Sequence, residues 1–340
     1  MSTPRPADRP VQGRDAWAVH LLQRAAMILL LLAVAGCAAP PPASVPRGQT
    51  PARATPVATL PRVRAPATRR PPTTASPSLT SRCGSQRAAG TLVLALPGGR
   101  RALLAVPAGE DGHHRLPLVV ALPGYGQTSE ELAAQSRLPG RAIAAGVLAV
   151  LPQGAGSAKS WNFSGVTGHN DLGFLSALVT RLAATECADP HRVVMTGISD
   201  GGDMAAFAAC ALPGRFLAVV TVAASFDPSV GCLPIPIVAV HGDVDPVDPY
   251  AGGPDGRPGY PAIPPAVAAI AAWAARDGCP TAAHTTTLAP NIAATTYPCG
   301  AQLVTVHGGG HTWPAGAPVS PWLGVTTGEY DATATVLRLL

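Results

Sequence analysis

The chain has 340 residues, of which 47% are hydrophobic and 13% charged, enough apolar material for one sizeable core or two small ones. The formal net charge of +5 is unevenly spread. Residues 1–82 hold eleven Arg against two Asp, whereas residues 83–340 hold thirteen Arg or Lys against seventeen Asp or Glu. The part able to fold is therefore mildly acidic, which argues against a basic, nucleic-acid-binding face.

Residues Ala25 to Gly36 form an apolar run of about a dozen residues. A bilayer span needs roughly 20, but this length suits the apolar region of an export signal, and Arg5, Arg9, Arg14 and Arg24 precede it. The run ends in Val34-Ala35-Gly36-Cys37, which resembles the lipobox of bacterial lipoproteins, where cleavage precedes a cysteine whose thiol carries a diacylglycerol. Residues 1–36 are thus expected to be a lipoprotein signal peptide, with Cys37 the lipidation site. The protein is expected to be exported and held by that lipid on the outer face of the cell membrane. Residues 37–82, with many Pro, Ala, Thr and Arg and few large apolar side chains, are expected to form a disordered tether. Six cysteines follow Cys37: Cys83, Cys187, Cys210, Cys232, Cys279 and Cys299. An even number in an exported chain favours disulfides, and no C-x-x-C spacing suggests a structural metal.

From residue 83 onward, short apolar runs alternate with helical patterns. Expected strands are Thr91–Leu96, Ala102–Val106, Pro117–Leu122, Val147–Leu151, Arg192–Thr196, Ala218–Val222, Ile235–Val240 and Leu303–Val306. Several are continuous and Val-rich, as strands buried on both faces of a parallel sheet must be. Expected helices are Leu172–Ala184, Asp203–Ala211, Ala266–Arg276 and Tyr330–Leu339, and Thr285–Leu288 with Thr295–Tyr297 suggests a hairpin around Pro290-Asn291. The alternation predicts an α/β fold, a mostly parallel central sheet flanked by helices. Nothing is long enough for a large lid domain.

Arg192–Thr196 runs into Gly197-Ile198-Ser199-Asp200-Gly201, and Gly202 precedes a helical stretch. This is G-x-S-x-G between a strand and a helix, the context that exposes a serine hydroxyl on a strained turn. Such a hydroxyl needs a base to take its proton and a carboxylate to orient that base. In hydrolases carrying this turn the chain order is nucleophile, acid, histidine. The acid candidates are Asp243, Asp245 and Asp248, in the segment His241–Asp248 just after a strand; Asp245 is preferred and the other two are the fallback. The base candidate is His311, in a glycine-rich loop after the last strand. His307, at the strand end, and His241, near Asp243, read as structural, and His113 and His114 lie in a polar loop upstream. The string His307-Gly308-Gly309-Gly310 imitates an oxyanion motif but stands downstream of the nucleophile, where that motif does not belong. Tyr125, in Leu122-Pro123-Gly124-Tyr125-Gly126-Gln127, and Asp200 are the expected donors of two backbone N–H groups to an oxyanion.

Taken together, Leu122–Gln127, Ser160-Trp161-Asn162, Asn170–Phe174, Asp189–Val193 leading into Gly197–Gly202, His241–Tyr250 and Gly308–Pro314 resemble a known group. It is the polyhydroxybutyrate depolymerase, feruloyl esterase and acetylxylan esterase group of α/β-hydrolases, and the likeness is closest to LpqC-type lipoprotein esterases. The resemblance spans nearly all of residues 83–340. It implies the α/β-hydrolase fold and a serine carboxylic-ester hydrolase, with Ser199 as nucleophile, Asp245 as acid and His311 as base. An ester substrate is its partner, and no metal or organic cofactor is needed. Where the group usually has His-Gly, this chain has Pro123-Gly124, and Asp200 stands where Asn, Ala or Met is commoner. Asp200 would place a carboxylate near the developing negative charge, which is expected to affect rate and not mechanism. The implied fold also pairs Cys210 with Cys232 on the side of the sheet away from the active site, and Cys279 with Cys299 across the hairpin, leaving Cys83 for Cys187. A serine peptidase, or a surface-anchored non-catalytic binding protein on the same fold, are the alternative readings.

Overall fold

The computed structural model describes residues 82–228, 232–280 and 282–340. The expected signal peptide, Cys37 and the tether lie outside the described residues, apart from Arg82. Among the described residues ten strands form one sheet: β1 (Gly90–Ala95), β2 (Arg101–Val106), β3 (Leu116–Leu122), β4 (Leu148–Pro152), β5 (Ala188–Ile198), β6 (Ala218–Val222), β7 (Ile237–Gly242), β8 (His284–Ala289), β9 (Ile292–Thr296) and β10 (Ala301–Val306). Their order is β1-β2-β4-β3-β5-β6-β7-β10-β9-β8. The middle strands from β4 to β10 pair in parallel, and antiparallel partners close both flanks.

Strands β3, β4 and β6 are buried along almost their whole length, which is why they read as unbroken apolar runs and not as alternating ones. Residues of opposite parity on them feed two cores. Leu118, Val120 and Leu122 pack with Trp161, Met195 and Trp273 on one face, and Val119, Ala121 and Val220 with Leu132 and Trp313 on the other. The indole N–H groups of the three buried tryptophans donate to Pro123 O, Phe226 O and Thr333 Oγ1 at 2.8, 3.0 and 2.9 Å, so none carries an unpaired donor into the core.

Among the described residues six α-helices cover the sheet: α1 (Ser129–Ser136), α2 (Leu138–Ala144), α3 (Asp171–Thr185), α4 (Asp200–Ala211), α5 (Ala266–Arg276) and α6 (Ala332–Arg338). The last four match expected helices. Helices α1 and α2 were not expected, being only eight and seven residues long. Their signals are local: Thr128 and Glu131 form a reciprocal capping box at the start of α1, and Arg137, at φ 56°, divides the two. The hairpin appears as β8 and β9.

The fold is the expected α/β one, and among the described residues no separate lid domain interrupts it; the long connections are 243–265 and 307–331. Cys83 pairs with Cys187, Cys210 with Cys232 and Cys279 with Cys299, at Cα separations of 5.0, 4.5 and 5.7 Å. The first of these ties the start of the described chain to β5, and Arg87, paired with the Glu186 carboxylate, reinforces it. Among the described residues no helix is long and apolar enough to cross a membrane.

Candidate active site

Strand β5 ends at Ile198 and α4 begins at Asp200, leaving Ser199 as the one residue of the turn. Its backbone is at φ 55°, ψ −131°, a conformation that costs a non-glycine residue on the order of 1–3 kcal/mol and persists only where its surroundings enforce it. The enforcement is visible. Ser199 N donates to Val222 O on β6 at 2.9 Å, and Ser199 O accepts from the N–H groups of Gly202 and Asp203 at 2.7 and 3.0 Å. The flanking glycines are required by space. A Cβ on Gly197 would overlap the Gly201 carbonyl, and one on Gly201 would overlap the carbonyl oxygens of Leu122 and Pro123 on the neighbouring strand end.

Asp245 lies in the loop after β7 and is buried. Its Oδ1 accepts from the N–H groups of Val247 and Asp248, both at 2.8 Å. These bonds fix the carboxylate so that Oδ2 faces His311 Nδ1 at 2.8 Å. His311 follows β10; its own N–H donates to Leu323 O at 2.6 Å, anchoring the loop against the short 3-10 turn Pro321–Leu323. With Nδ1 engaged by a carboxylate, Nε2 is the nitrogen left to act on a substrate or a hydroxyl. Ser199 and His311 line one cavity of about 740 Å³.

The other acids and histidines fall elsewhere. Asp243 pairs with His307 Nδ1 at 2.8 Å and accepts from Gly308 N at 2.7 Å, an exposed arrangement beside the site. His241 is buried directly behind Asp245, with Nε2 at 3.7 Å from Asp245 Oδ2. Its Nε2–H donates to Asp248 O at 2.8 Å, and Nδ1 faces Ser225 Oγ at 3.2 Å. Burial depresses its pKa, so the ring stays neutral near pH 7 and adds no charge behind the acid. His114 pairs with Asp111 in an exposed turn, and the His113 N–H donates to the same carboxylate at 2.8 Å. Asp248 lines the cavity, and burial, then the charges of Asp203 and Asp245, push its carboxyl well above the usual range.

The loop after β3 is held from within. Gly124 N donates to Gln127 Oε1 at 2.9 Å, Gln127 N to Gly124 O at 3.1 Å, and Gly126 N to Ala158 O at 3.1 Å. Gln127 is itself fixed by donating to Gln135 Oε1 at 2.7 Å. Tyr125 sits at the cavity wall between these anchored amides. Asp200 is the first residue of α4, where N–H groups have no partner inside the helix and the dipole is positive.

The Asp200 side chain modifies the expectation drawn from sequence. Its carboxylate is fully buried and engaged: Oδ2 accepts from Trp161 N at 2.8 Å and Oδ1 from Arg257 Nη1 at 2.6 Å. Burial raises its pKa against the lowering pull of Arg257 and the Trp161 N–H. Its charge is thus met by a guanidinium and does not stand bare beside an oxyanion. Arg257 also binds Asp255 through Nε and Nη2, both at 2.7 Å, and lies 3.8 Å from the centre of the Tyr260 ring. Neither Arg257 nor Asp203 was singled out from sequence. Arg257 lies in a Gly/Pro-rich loop with no periodic pattern, and Asp203 reads there as an ordinary acid in the first turn of a helix.

A parallel-centred sheet with a strained serine at a strand–helix turn and a buried carboxylate–histidine pair on the same edge is the α/β-hydrolase fold. Comparison with known proteins narrows the class. The chain is 29% identical over 255 residues to "Putative esterase NocK" of Nocardia uniformis subsp. tsuyamanensis, covering 66% of this chain and 74% of that protein. It is 28% identical over 167 residues to "Probable feruloyl esterase C" of Aspergillus terreus, covering 46% of this chain and 58% of the relative. Among solved structures, acetyl xylan esterase from Aspergillus awamori aligns with a TM-score of 0.53 at 17% identity, over 74% of this chain and all of that one, a likeness of fold. No family model matches the chain. The chain thus has the α/β-hydrolase fold, and the relatives it resembles in sequence are named as esterases.

Proposed function

We propose that the protein is an exported serine esterase that works through an acyl-enzyme on Ser199. In this reading His311 Nε2 takes the Ser199 proton as Oγ attacks the ester carbonyl, and Asp245 holds the imidazolium by its Nδ1–H. The tetrahedral oxyanion is met by the N–H groups of Tyr125 and Asp200. Collapse expels the alcohol with a proton from His311, and water, activated by the same ring, then releases the acid. The observation that carries the reading is the 2.8 Å bond between His311 Nδ1 and a buried Asp245, in a cavity that Ser199 also lines. Each oxyanion N–H is worth roughly 3–4 kcal/mol of transition-state stabilisation.

The substrate class we favour is a short-acyl or aryl ester. The cavity is open and bordered by Tyr125 and Trp322, both largely exposed, and such rings give flat apolar walls to an acyl or aryl group. The feruloyl esterase name of one relative supports the same class. Hydroxyalkanoate oligoesters and acetylated polysaccharides are the further members to assay. Export is supported by three cysteine pairs at bonding separation and by the leader and Cys37, which carry the proposal of a lipid anchor. The test is hydrolysis of p-nitrophenyl acetate, butyrate and octanoate by the oxidised protein beside Ser199→Ala. Rates that fall with chain length and vanish in the variant are expected. Hydrolysis that persists in the variant would overturn Ser199 as nucleophile. Globomycin sensitivity of processing, lost in Cys37→Ala, tests the anchor.

A further inference from the structure

Beside the main cavity lies a second hollow of about 260 Å³. Asp203, Asp255 and Ile263 line both, so the two meet there, one helical turn beyond Ser199. Two aromatic rings, Phe163 and Phe226, stand edge to face in its wall with centres 6.4 Å apart. Three carboxylates, Asp203, Asp227 and Asp255, and two hydroxyls, Ser164 and Ser225, complete it.

Asp203 is only 8% exposed, and its Oδ1 has no hydrogen-bond partner among the described residues; the same is true of Ser164 Oγ. A buried, unpaired acceptor on a cavity wall costs stability without return inside the protein. The adjacent guanidinium does not relieve it, because Arg257 is committed to Asp200 and Asp255. Burial, and then the charge of Asp200, push the Asp203 carboxyl up to about 8. Among the described residues no three His, Cys, Asp or Glu side chains converge as metal ligands. The missing partner thus fits an organic cation: Asp227, and Asp203 once an adjacent positive charge expels its proton, supply charge, the unpaired oxygens face that charge, and ring faces suit its alkyl surface.

We propose that this hollow is a subsite for an ammonium group carried by the ester substrate, held by Asp203, Asp227 and Asp255 against Phe163 and Phe226. The inference rests on the serine-esterase reading of the adjoining cavity. Four residues of helix separate Asp203 from Ser199, a rise of about 6 Å, so the ammonium belongs a few bonds from the ester carbonyl.

Two pairs of substrates test it, one for each half of the ester. Butyrylcholine is compared with 3,3-dimethylbutyl butyrate, its neutral carbon isostere. The p-nitrophenyl ester of 4-(trimethylammonio)butanoate is compared with that of 5,5-dimethylhexanoate, each kcat/KM being divided by the rate of hydroxide hydrolysis. The charged member of at least one pair is expected to be favoured by about 10-fold or more. Asp203→Asn, and Asp227→Asn at an exposed position that leaves the fold untouched, should each reduce that ratio several-fold, with circular dichroism as the folding control. Neutral isosteres hydrolysed as fast or faster in both pairs would overturn the subsite alone. So would a preference that survives both substitutions. Failure of the wild type to hydrolyse any of the four while p-nitrophenyl acetate is turned over would overturn the subsite alone; failure on p-nitrophenyl acetate as well would overturn the serine-esterase reading, and the subsite with it.

Discussion

Arg257 Nη1 lies 2.6 Å from Asp200 Oδ1, so the residue that follows the proposed nucleophile is neutralised by a loop 57 positions further along the chain. The pair has a structural use beyond charge balance. Asp200 Oδ2 holds Trp161 N, and the Trp161 indole in turn donates to Pro123 O at the start of the proposed oxyanion loop. Loop 253–263, the turn after β5 and the loop after β3 are thereby tied together at one carboxylate.

Removing the guanidinium leaves that carboxylate buried and unpaired. Breaking a wholly buried pair costs about 3–5 kcal/mol. Arg257 is partly exposed, so Arg257→Ala should cost less, on the order of 2 kcal/mol. Urea unfolding should show the loss, and Arg257→Ala combined with Asp200→Asn should recover part of it because the orphaned charge is gone.

Asp203 gives a pH signature. Its carboxyl stands at about 8 in the folded protein against an ordinary 3.8, because it is buried and beside Asp200. Between those values the unfolded chain has released a proton that the folded chain retains, so this group's contribution falls as pH rises from about 4 to about 8. Asp203→Asn should therefore be more stable than wild type at pH 8, on the order of 1 kcal/mol, and indistinguishable at pH 4. Thermal unfolding at the two pH values checks the difference. A gain at both would mean that its cause is not ionisation.

Gly201→Ala should damage the turn more than its size suggests. The added methyl meets the carbonyl oxygens of Leu122 and Pro123, backbone atoms that cannot rotate away. Overpacking of this kind costs about 1–3 kcal/mol, and a shift of an ångström at a nucleophile costs roughly 100-fold in rate. A variant with reduced kcat and a lower unfolding midpoint is expected.

The cysteine pairs should contribute in the order of the loops they close. Cys83–Cys187 spans 104 residues, against 22 and 20 for the others. In the chain-entropy account a loop of about 100 residues is worth about 4.7 kcal/mol and one of about 15 residues about 3. Replacing Cys83 and Cys187 by Ser should lower stability most, read as the shift in denaturation midpoint of each double variant.

Much of the fold was legible because its central strands are buried on both faces and their apolar runs are unbroken. Strand Ala218–Val222 and helix Ala266–Arg276 occur with the expected bounds. The short helices α1 and α2 escaped notice because one capping box and one left-handed residue, not periodicity, define them. Near the site, Asp243, Asp245 and Asp248 have similar local sequence, and only the tertiary path of His311 separates them: it meets Asp245, while Asp243 meets His307. The Asp200–Arg257 pair and the unpaired oxygen of Asp203 arise from contacts between distant loops, and no spacing along the chain encodes them.

The most direct test of Ser199 as nucleophile is reaction of the oxidised, purified protein with a fluorophosphonate, followed by mass spectrometry of the modified peptide. One adduct per chain, on Ser199, is predicted, abolished in Ser199→Ala and greatly slowed in His311→Ala. An adduct on another residue, or full ester hydrolysis by protein that takes up no label, would contradict the account.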